Sequence, residues 1–260
     1  MSTQRKLRIA FLVVKNIARG GGIEKYTQEL GRRLIAHGHE VTVYSMGHYG
    51  EAASQFQGMR VISVPCVKHS ALEKLSASTT AAMQIIAKGG EYDILHCHSV
   101  AAGAFAPFLR LKGYRCILQM HGIEWQRNRW NFVGKNVLKL LERVSLMGSH
   151  AHTAVSNTQC DYYKETHGIP MRYIPTGAEI KPHHEALEIL SMGLEPRRYI
   201  LFASRLVREK GAHYLIAAFR QMATDYKLVI AGDAKGEEVY KQELQTLAGN
   251  DPRILFPGFV

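Results

Sequence analysis

Short apolar runs rich in branched side chains recur along the chain, with stretches of helical periodicity between them. They occupy residues 7–14, 41–44, 61–64, 92–96, 116–120, 152–155 and 171–174. A parallel pair of strands needs a crossover connection, which a helix usually supplies, so this alternation is the pattern of a doubly wound, mostly parallel sheet. The fold class expected is α/β. The first helix is the clearest: Ile23, Tyr26, Thr27, Leu30 and Leu34 form one stripe, while Lys25, Glu29, Arg32 and Arg33 lie opposite. It runs out at His37-Gly38-His39, a good C-terminal cap.

A polar segment at residues 181–196, holding two prolines, separates this set from a second one at 199–203, 228–231 and 254–256. Two domains are expected, residues 1–195 and 196–260. The second has room for about three strands and two helices and is expected to be only the first part of a domain. With 46% hydrophobic residues over 260 positions, the chain can bury a full core. No apolar run approaches the roughly 20 residues of a membrane span, and no cleavage-site pattern follows the first apolar stretch, so a cytoplasmic protein is expected. Cys66, Cys97, Cys116 and Cys160 have no paired spacing that would indicate a disulfide framework or a zinc site. The formal charge is +11, and residues 110–143 carry eight Lys or Arg against two acids. Such a local basic stretch, interleaved with aromatics, suits nucleic acid, an anionic membrane surface or a phosphate-bearing substrate, and charge alone does not choose among them.

Three stretches carry candidate chemistry. After the strand at 199–203 comes Ser204-Arg205-Leu206-Val207-Arg208-Glu209-Lys210-Gly211, where a helical pattern opens. Arg205 and Lys210 would stand at the mouth of a sheet, beside helix N-terminal amides that favour anions, which is a clamp for a diphosphate. Its bland counterpart is a solvated basic turn. After the first strand, Arg19-Gly20-Gly21-Gly22-Ile23-Glu24 lets backbone amides approach a phosphate or sugar. It is not a dinucleotide fingerprint, because Lys25 stands where the third glycine would fall and no acid closes the second strand. The fifth strand ends in Met120-His121-Gly122-Ile123-Glu124-Trp125-Gln126-Arg127-Asn128-Arg129-Trp130. A neutral His121 there could donate to a sugar hydroxyl or a leaving phosphate oxygen, or could simply be structural. Glu124, Trp125, Arg127 and Arg129 suit an acceptor saccharide or a lipid headgroup, or an ordinary loop anchored by aromatics. His96-Cys97-His98 places two imidazoles on one face of a strand, but no third ligand is near in sequence and no metal is expected.

Taken in order, Gly21-Gly22-Ile23-Glu24, Asp93-Ile94-Leu95-His96-Cys97-His98-Ser99, His121-Gly122, Val155-Ser156, Ile174-Pro175-Thr176-Gly177-Ala178 and Ser204-Arg205 through Lys210-Gly211 resemble the GT-B glycosyltransferases of family 4. The resemblance implies a complete N-terminal Rossmann-like domain on the acceptor side and the first part of a second one on the donor side. It implies a nucleotide-diphosphate sugar as donor, with no further cofactor required. Arg205 and Lys210 would neutralise its diphosphate, the Gly21-Gly22 loop would lie beside it, and His121 would contact the donor sugar. Transfer would go to a hydroxyl with retention, by a same-face route in which the leaving diphosphate helps deprotonate the acceptor. Retention by two displacements would need a carboxylate nucleophile, and none stands out.

The His-Gly-x-Glu-Trp-x-Arg-x-x-Trp string is similar to bacterial enzymes of surface polysaccharide synthesis, some of them rhamnosyltransferases. Their acceptors are often lipid-linked sugars, which implies a peripheral place on the inner face of the plasma membrane. Family members carry a Glu-x7-Glu pair beyond the region that this chain reaches, so the chain is expected to lack part of the donor site and to be inactive alone. The alternative is a non-catalytic module that binds a saccharide or phospholipid headgroup. A nucleic-acid partner is not expected.

Overall fold

The computed structural model describes residues 5–19, 21–50, 54–127, 130–178, 187–234 and 238–259. Compactness divides the chain into two units, Met1–Glu179 and Ile180–Val260.

The first unit runs β1 (Arg8–Val14), α1 (Gly22–Ala36), β2 (Glu40–Met46), β3 (Gln55–Phe56), β4 (Met59–Val64), α2 (Glu73–Lys88), β5 (Ile94–Cys97), α3 (Val100–Gly103), α4 (Ala106–Leu111), β6 (Arg115–Met120), α5 (Phe132–Gly148), β7 (Ala151–Ala154), α6 (Asn157–His167) and β8 (Arg172–Tyr173). Its strands form one sheet in the order β3-β4-β2-β1-β5-β6-β7-β8, parallel except for the β3–β4 pair. Strands β1 and β2 are buried at every position but the first, which is why they read as continuous apolar runs: helices cover both faces. One core packs Leu12, Tyr44, Leu95 and Leu118 against α2, while a second packs Phe11, Val43 and Met59 against Ile23, Leu30 and Leu34 of α1. Each such side chain contributes about 1.5 to 3 kcal/mol on burial.

The second unit runs α7 (Leu187–Ser191), β9 (Tyr199–Ala203), α8 (Ala212–Arg220), β10 (Lys227–Ala231), α9 (Glu238–Ala248) and β11 (Ile254–Gly258). Its parallel sheet has the order β11-β10-β9, and Ile216, Phe219, Tyr240 and Leu244 cover one face. Leu194 and Ile189 pack on Val229 and Ala231, so this stretch belongs with the second sheet. The compact units therefore divide before residue 195, where the sequence had placed the boundary.

All four cysteines are free thiols. Burial raises the pKa of Cys97 and lifts that of Cys116 to about 11, so neither is a reactive thiolate at neutral pH. Among the described residues no group of three or more His, Cys, Asp or Glu is placed to hold a metal ion.

Candidate active site

In the first sheet the winding reverses between β1 and β5, and ligands of such sheets bind beyond the carboxyl ends of the strands at this point. The ends of β1, β5 and β6 carry the glycine loop, His98 and His121, respectively.

The glycine loop is fixed by part-buried polar contacts. Asn16 accepts from the Ala18 amide at 2.9 Å and donates to the Tyr49 carbonyl at 3.2 Å. Glu24 Oε1 accepts the Lys15 amide at 3.0 Å. Lys15 Nζ in turn meets the buried Glu73 carboxylate at 3.0 Å, and Tyr49 donates to the same group at 2.6 Å. Desolvation opposes the Glu73 charge, but the hydrogen bonds from Tyr49 and Lys15 outweigh it and hold its pKa below the ordinary carboxylate value. Gly21 caps α1 without a side-chain acceptor. A Cβ there would meet Glu24 Oε2 at 2.2 Å, whereas one on Gly22 would meet nothing within 4 Å. The protein's own packing does not require Gly22 to be bare; the open space lies over the amides of the first helical turn. Gly20 lies outside the described residues.

Three imidazoles cluster beside this loop. The Thr27 hydroxyl donates to the Ile23 carbonyl at 2.8 Å, so His98 Nε2, at 3.0 Å, donates to the Thr27 oxygen. His98 Nδ1 is then an acceptor, and His121 Nε2–H donates to it at 3.3 Å. Burial depresses the His121 pKa to about 4, with the Lys74 charge adding to the effect. Being neutral with its proton on Nε2, His121 presents Nδ1 as an acceptor. The sequence offered it as a donor to a ligand; its Nε2 is engaged by His98, which lies 23 residues away. Tyr26 packs edge-on to His121 at 5.4 Å between centroids, and Phe11 stacks on His98 at 5.3 Å. His96 donates instead to Gln119 at 2.8 Å, so His96 and His98 serve separate hydrogen bonds and not a shared ligand.

A cavity of about 510 Å3 opens between α2 and α5. Its walls are mostly apolar, with Leu72, Val100, Val137 and Leu141, and its polar groups include Lys74, His69 and Glu124. Lys74 had no sequence signal; only the fold brings it into the field of His121. The expected acceptor set is split. Glu124 and Trp130 line the cavity, and Arg127 pairs with Glu124 at 3.4 Å. Trp125 faces a different depression, against Tyr162 at 6.4 Å and beneath Lys139 Nζ at 4.4 Å from the ring centroid. Arg129 lies outside the described residues.

In the second unit the turn between β9 and α8 sorts its cations. Arg208 bonds Glu243 and lies 5.2 Å from the Tyr240 ring centroid. Arg205 and Lys210 are exposed, and neither forms a side-chain hydrogen bond or ion pair with another described residue. Their turn is pinned from beneath: the Leu206 amide bonds the Asp233 carbonyl at 3.0 Å, and the Ser204 amide bonds the Ala231 carbonyl at 3.1 Å. Gly232, at φ +146°, lets β10 pass this close, since a Cβ there would stand 1.8 Å from the Ser204 carbonyl oxygen. The sequence reading passed over Gly232, although a glycine directly after an apolar strand is a signal for close backbone approach.

Two α/β units in tandem, one with a glycine loop and histidine at its switch point and one with a cationic turn beyond its first strand, have the GT-B fold. The chain belongs to glycosyltransferase family 4: residues 20–181 match the model for Glycosyltransferase Family 4, and residues 192–260 match that for Glycosyl transferases group 1. Among solved structures, Anabaena HepE in complex with UDP and glucose is similar at a TM-score of 0.73 and 18% identity, with 98% of this chain covering 70% of that one. A glycosyltransferase from Rickettsia africae is similar at 0.70 and 20% identity, with coverage of 99% and 69%. The catalytic domain of Arabidopsis thaliana starch synthase IV, bound to ADP and acarbose, is similar at 0.71 and 14% identity, with coverage of 97% and 74%. No curated protein matches the chain.

Proposed function

We propose that the protein transfers a sugar, with retention, from a nucleotide-diphosphate donor to a hydroxyl of a glycan or lipid-linked acceptor in cell-surface polysaccharide synthesis. The observation that carries this reading is the sorting of the cations at 205–210: Arg208 pairs with Glu243, whereas Arg205 and Lys210 have no side-chain partner among the described residues. Two charge-assisted bonds to phosphate contribute about 3 to 6 kcal/mol together, enough to hold a donor by its diphosphate. UDP or ADP in the similar structures named above agrees with such a ligand.

In this reading Arg205 and Lys210 neutralise the diphosphate, and the amides at Gly21 and Gly22 are, within the first unit, a separate place that favours an anion. His121 accepts a hydrogen bond from a hydroxyl of the donor sugar. With a pKa of about 4 it is a poor general acid or base near neutrality, so it orients and does not transfer protons. Glu24, Glu73 and Glu124 are each engaged by partners, which favours the same-face route over a covalent carboxylate intermediate. The leaving diphosphate takes the acceptor proton, and the protein positions the reactants and screens charge. Glu124, Arg127 and Trp130 meet the acceptor, and the protein acts in the cytoplasm at the inner face of the plasma membrane.

Calorimetric titration with UDP, GDP, ADP and dTDP tests the donor half of this reading. One of them should bind, and the affinity should drop at least tenfold in Arg205→Ala. Binding equal in wild type and variant would remove the clamp from the proposal.

A further inference from the structure

Helix α1 holds Tyr26 in a place that its apolar stripe does not explain. Ile23, Leu30 and Leu34 pack into the core against Phe11, Val43 and Met59, but Tyr26 is not among them. Its ring lies instead against three imidazoles at once. The centroids are 5.4 Å apart for His121, 5.7 Å for His98 and 6.4 Å for His96, with interplanar angles of 76°, 85° and 69°. All three contacts are edge-to-face, an arrangement that aromatic rings prefer to a flat sandwich. Tyr26 is half-buried, whereas His96 and His98 are 8% and 2% exposed. Thr27, the next residue, holds His98 through its hydroxyl, so one turn of α1 both orients this imidazole and packs a ring against it.

The hydroxyl end of Tyr26 has its own neighbour. Burial raises the Tyr26 pKa, and the Gln119 amide, held by His96 at 2.8 Å, offsets this in part from beside the hydroxyl. The His96–Gln119 pair, which takes no part in the ligand contacts above, thus meets the tip of the same ring. Among the described residues, the titratable and charged groups that face His121 are His96 and His98 from β5, Tyr26 from α1 and Lys74 from α2. None of them is a carboxylate, so water is the remaining influence that would favour an imidazolium. The Tyr26 ring is the large group that displaces it.

We propose that Tyr26 is a positioning residue of the first unit's site: its ring screens His98 and His121 from water, so that His121 keeps Nδ1 bare as the acceptor for a ligand hydroxyl. This deepens, and rests on, the reading of His121 given above. Tyr26 acts only through His121. With the ring removed, water reaches the imidazole and the cost of burying its charge falls, so its pKa moves up from about 4 toward 6.5, with Lys74 still opposing the change. An imidazolium donates from both nitrogens, and a site built to accept a hydroxyl proton would then donate one.

The test is an NMR titration of the whole chain carrying isotope-labelled histidine, with the His121 signal assigned through His121→Gln. His121 should titrate near 4 in the wild type. Tyr26→Phe, which keeps the ring, should stay within about half a pH unit of that value, and Tyr26→Ala should rise by about one pH unit or more. A wild type that titrates at 6.5, a Tyr26→Ala that does not shift, or a Tyr26→Phe that shifts as far as Tyr26→Ala overturns the proposal. Fluorescence of Trp125 and Trp130, both in the first unit, reports whether each variant is folded. If Tyr26→Ala is not, Tyr26→Leu, too small to span three imidazoles, replaces it with the same expectation. The titration uses no ligand, so its failure removes Tyr26 and leaves the transferase reading standing. A shift in Tyr26→Ala without nucleotide binding by the wild type would support the hold of Tyr26 on His121 and remove the transferase reading instead.

Discussion

Replacing Gly232 by alanine tests how the second unit presents its cationic turn. The new Cβ would stand 1.8 Å from the Ser204 carbonyl oxygen, so one backbone segment must retreat by more than 1 Å to reach ordinary contact. Gly232 cannot easily be the one to move, since its own amide bonds the Gly258 carbonyl at 2.7 Å. Relief therefore falls on the bonds from Ser204 to Ala231 and from Leu206 to Asp233, or on the one to Gly258. At a net ~0.5 to 1.5 kcal/mol each, losing two or three costs about 1 to 4 kcal/mol. Holding alanine at φ +146° adds about 1 to 3 kcal/mol, for a total of about 2 to 7 kcal/mol. Amide exchange at Ser204 and Leu206 should accelerate by about 30-fold or more, at ten-fold per ~1.4 kcal/mol. Both tryptophans, Trp125 and Trp130, lie in the first unit, so their fluorescence should not change. Exchange at Ser204 and Leu206 within threefold of the wild type would refute the close-approach argument.

Gly22→Ala should leave stability within about 0.5 kcal/mol of the wild type, since no described atom meets its Cβ, yet weaken nucleotide or nucleotide-sugar binding, which calorimetry and thermal melting measure together. Thr27→Val removes the oxygen that orients His98. It should lower sugar-nucleotide affinity more than that of the bare nucleotide, whereas a purely structural effect would reduce both equally. Arg208→Ala should lower the melting temperature by breaking the contacts to Glu243 and Tyr240 while sparing nucleotide binding; Lys210→Ala should do the reverse. His121 and His96 titrate near 4 when folded, against about 6.5 unfolded, so the unfolded chain binds more protons between those values. Stability of the first unit, followed by tryptophan fluorescence in urea, should be level above pH 7 and fall as pH drops from about 6.5 to 4.

The central strands were legible because parallel strands buried on both faces read as unbroken apolar runs. Strand β3 was not, since a two-residue antiparallel edge carries no pattern, and α7 was hidden in a segment whose polar composition masks Ile189 and Leu194. In the site, Arg205 and Lys210 stood out by their place between strand and helix. What separates them from Arg208 is Glu243, 35 residues further on, and no local spacing encodes that pairing. His98 looked like half of a metal site because its neighbour His96 is near in sequence, but its working partners, Thr27 and His121, are brought to it by other strands and helices. The same holds for Trp125, whose loop read as one surface until the fold turned it away from Glu124.

The central claim is that the second unit holds a diphosphate through Arg205 and Lys210. It is tested most directly by titrating the preferred nucleoside diphosphate, its monophosphate and its nucleoside into wild type and Arg205→Ala/Lys210→Ala. The account predicts that the wild type favours the diphosphate over the nucleoside by at least a hundredfold and that the double variant, still folded, loses most of this preference. A wild type that binds diphosphate and nucleoside alike, or a double variant that keeps the full preference, would contradict it.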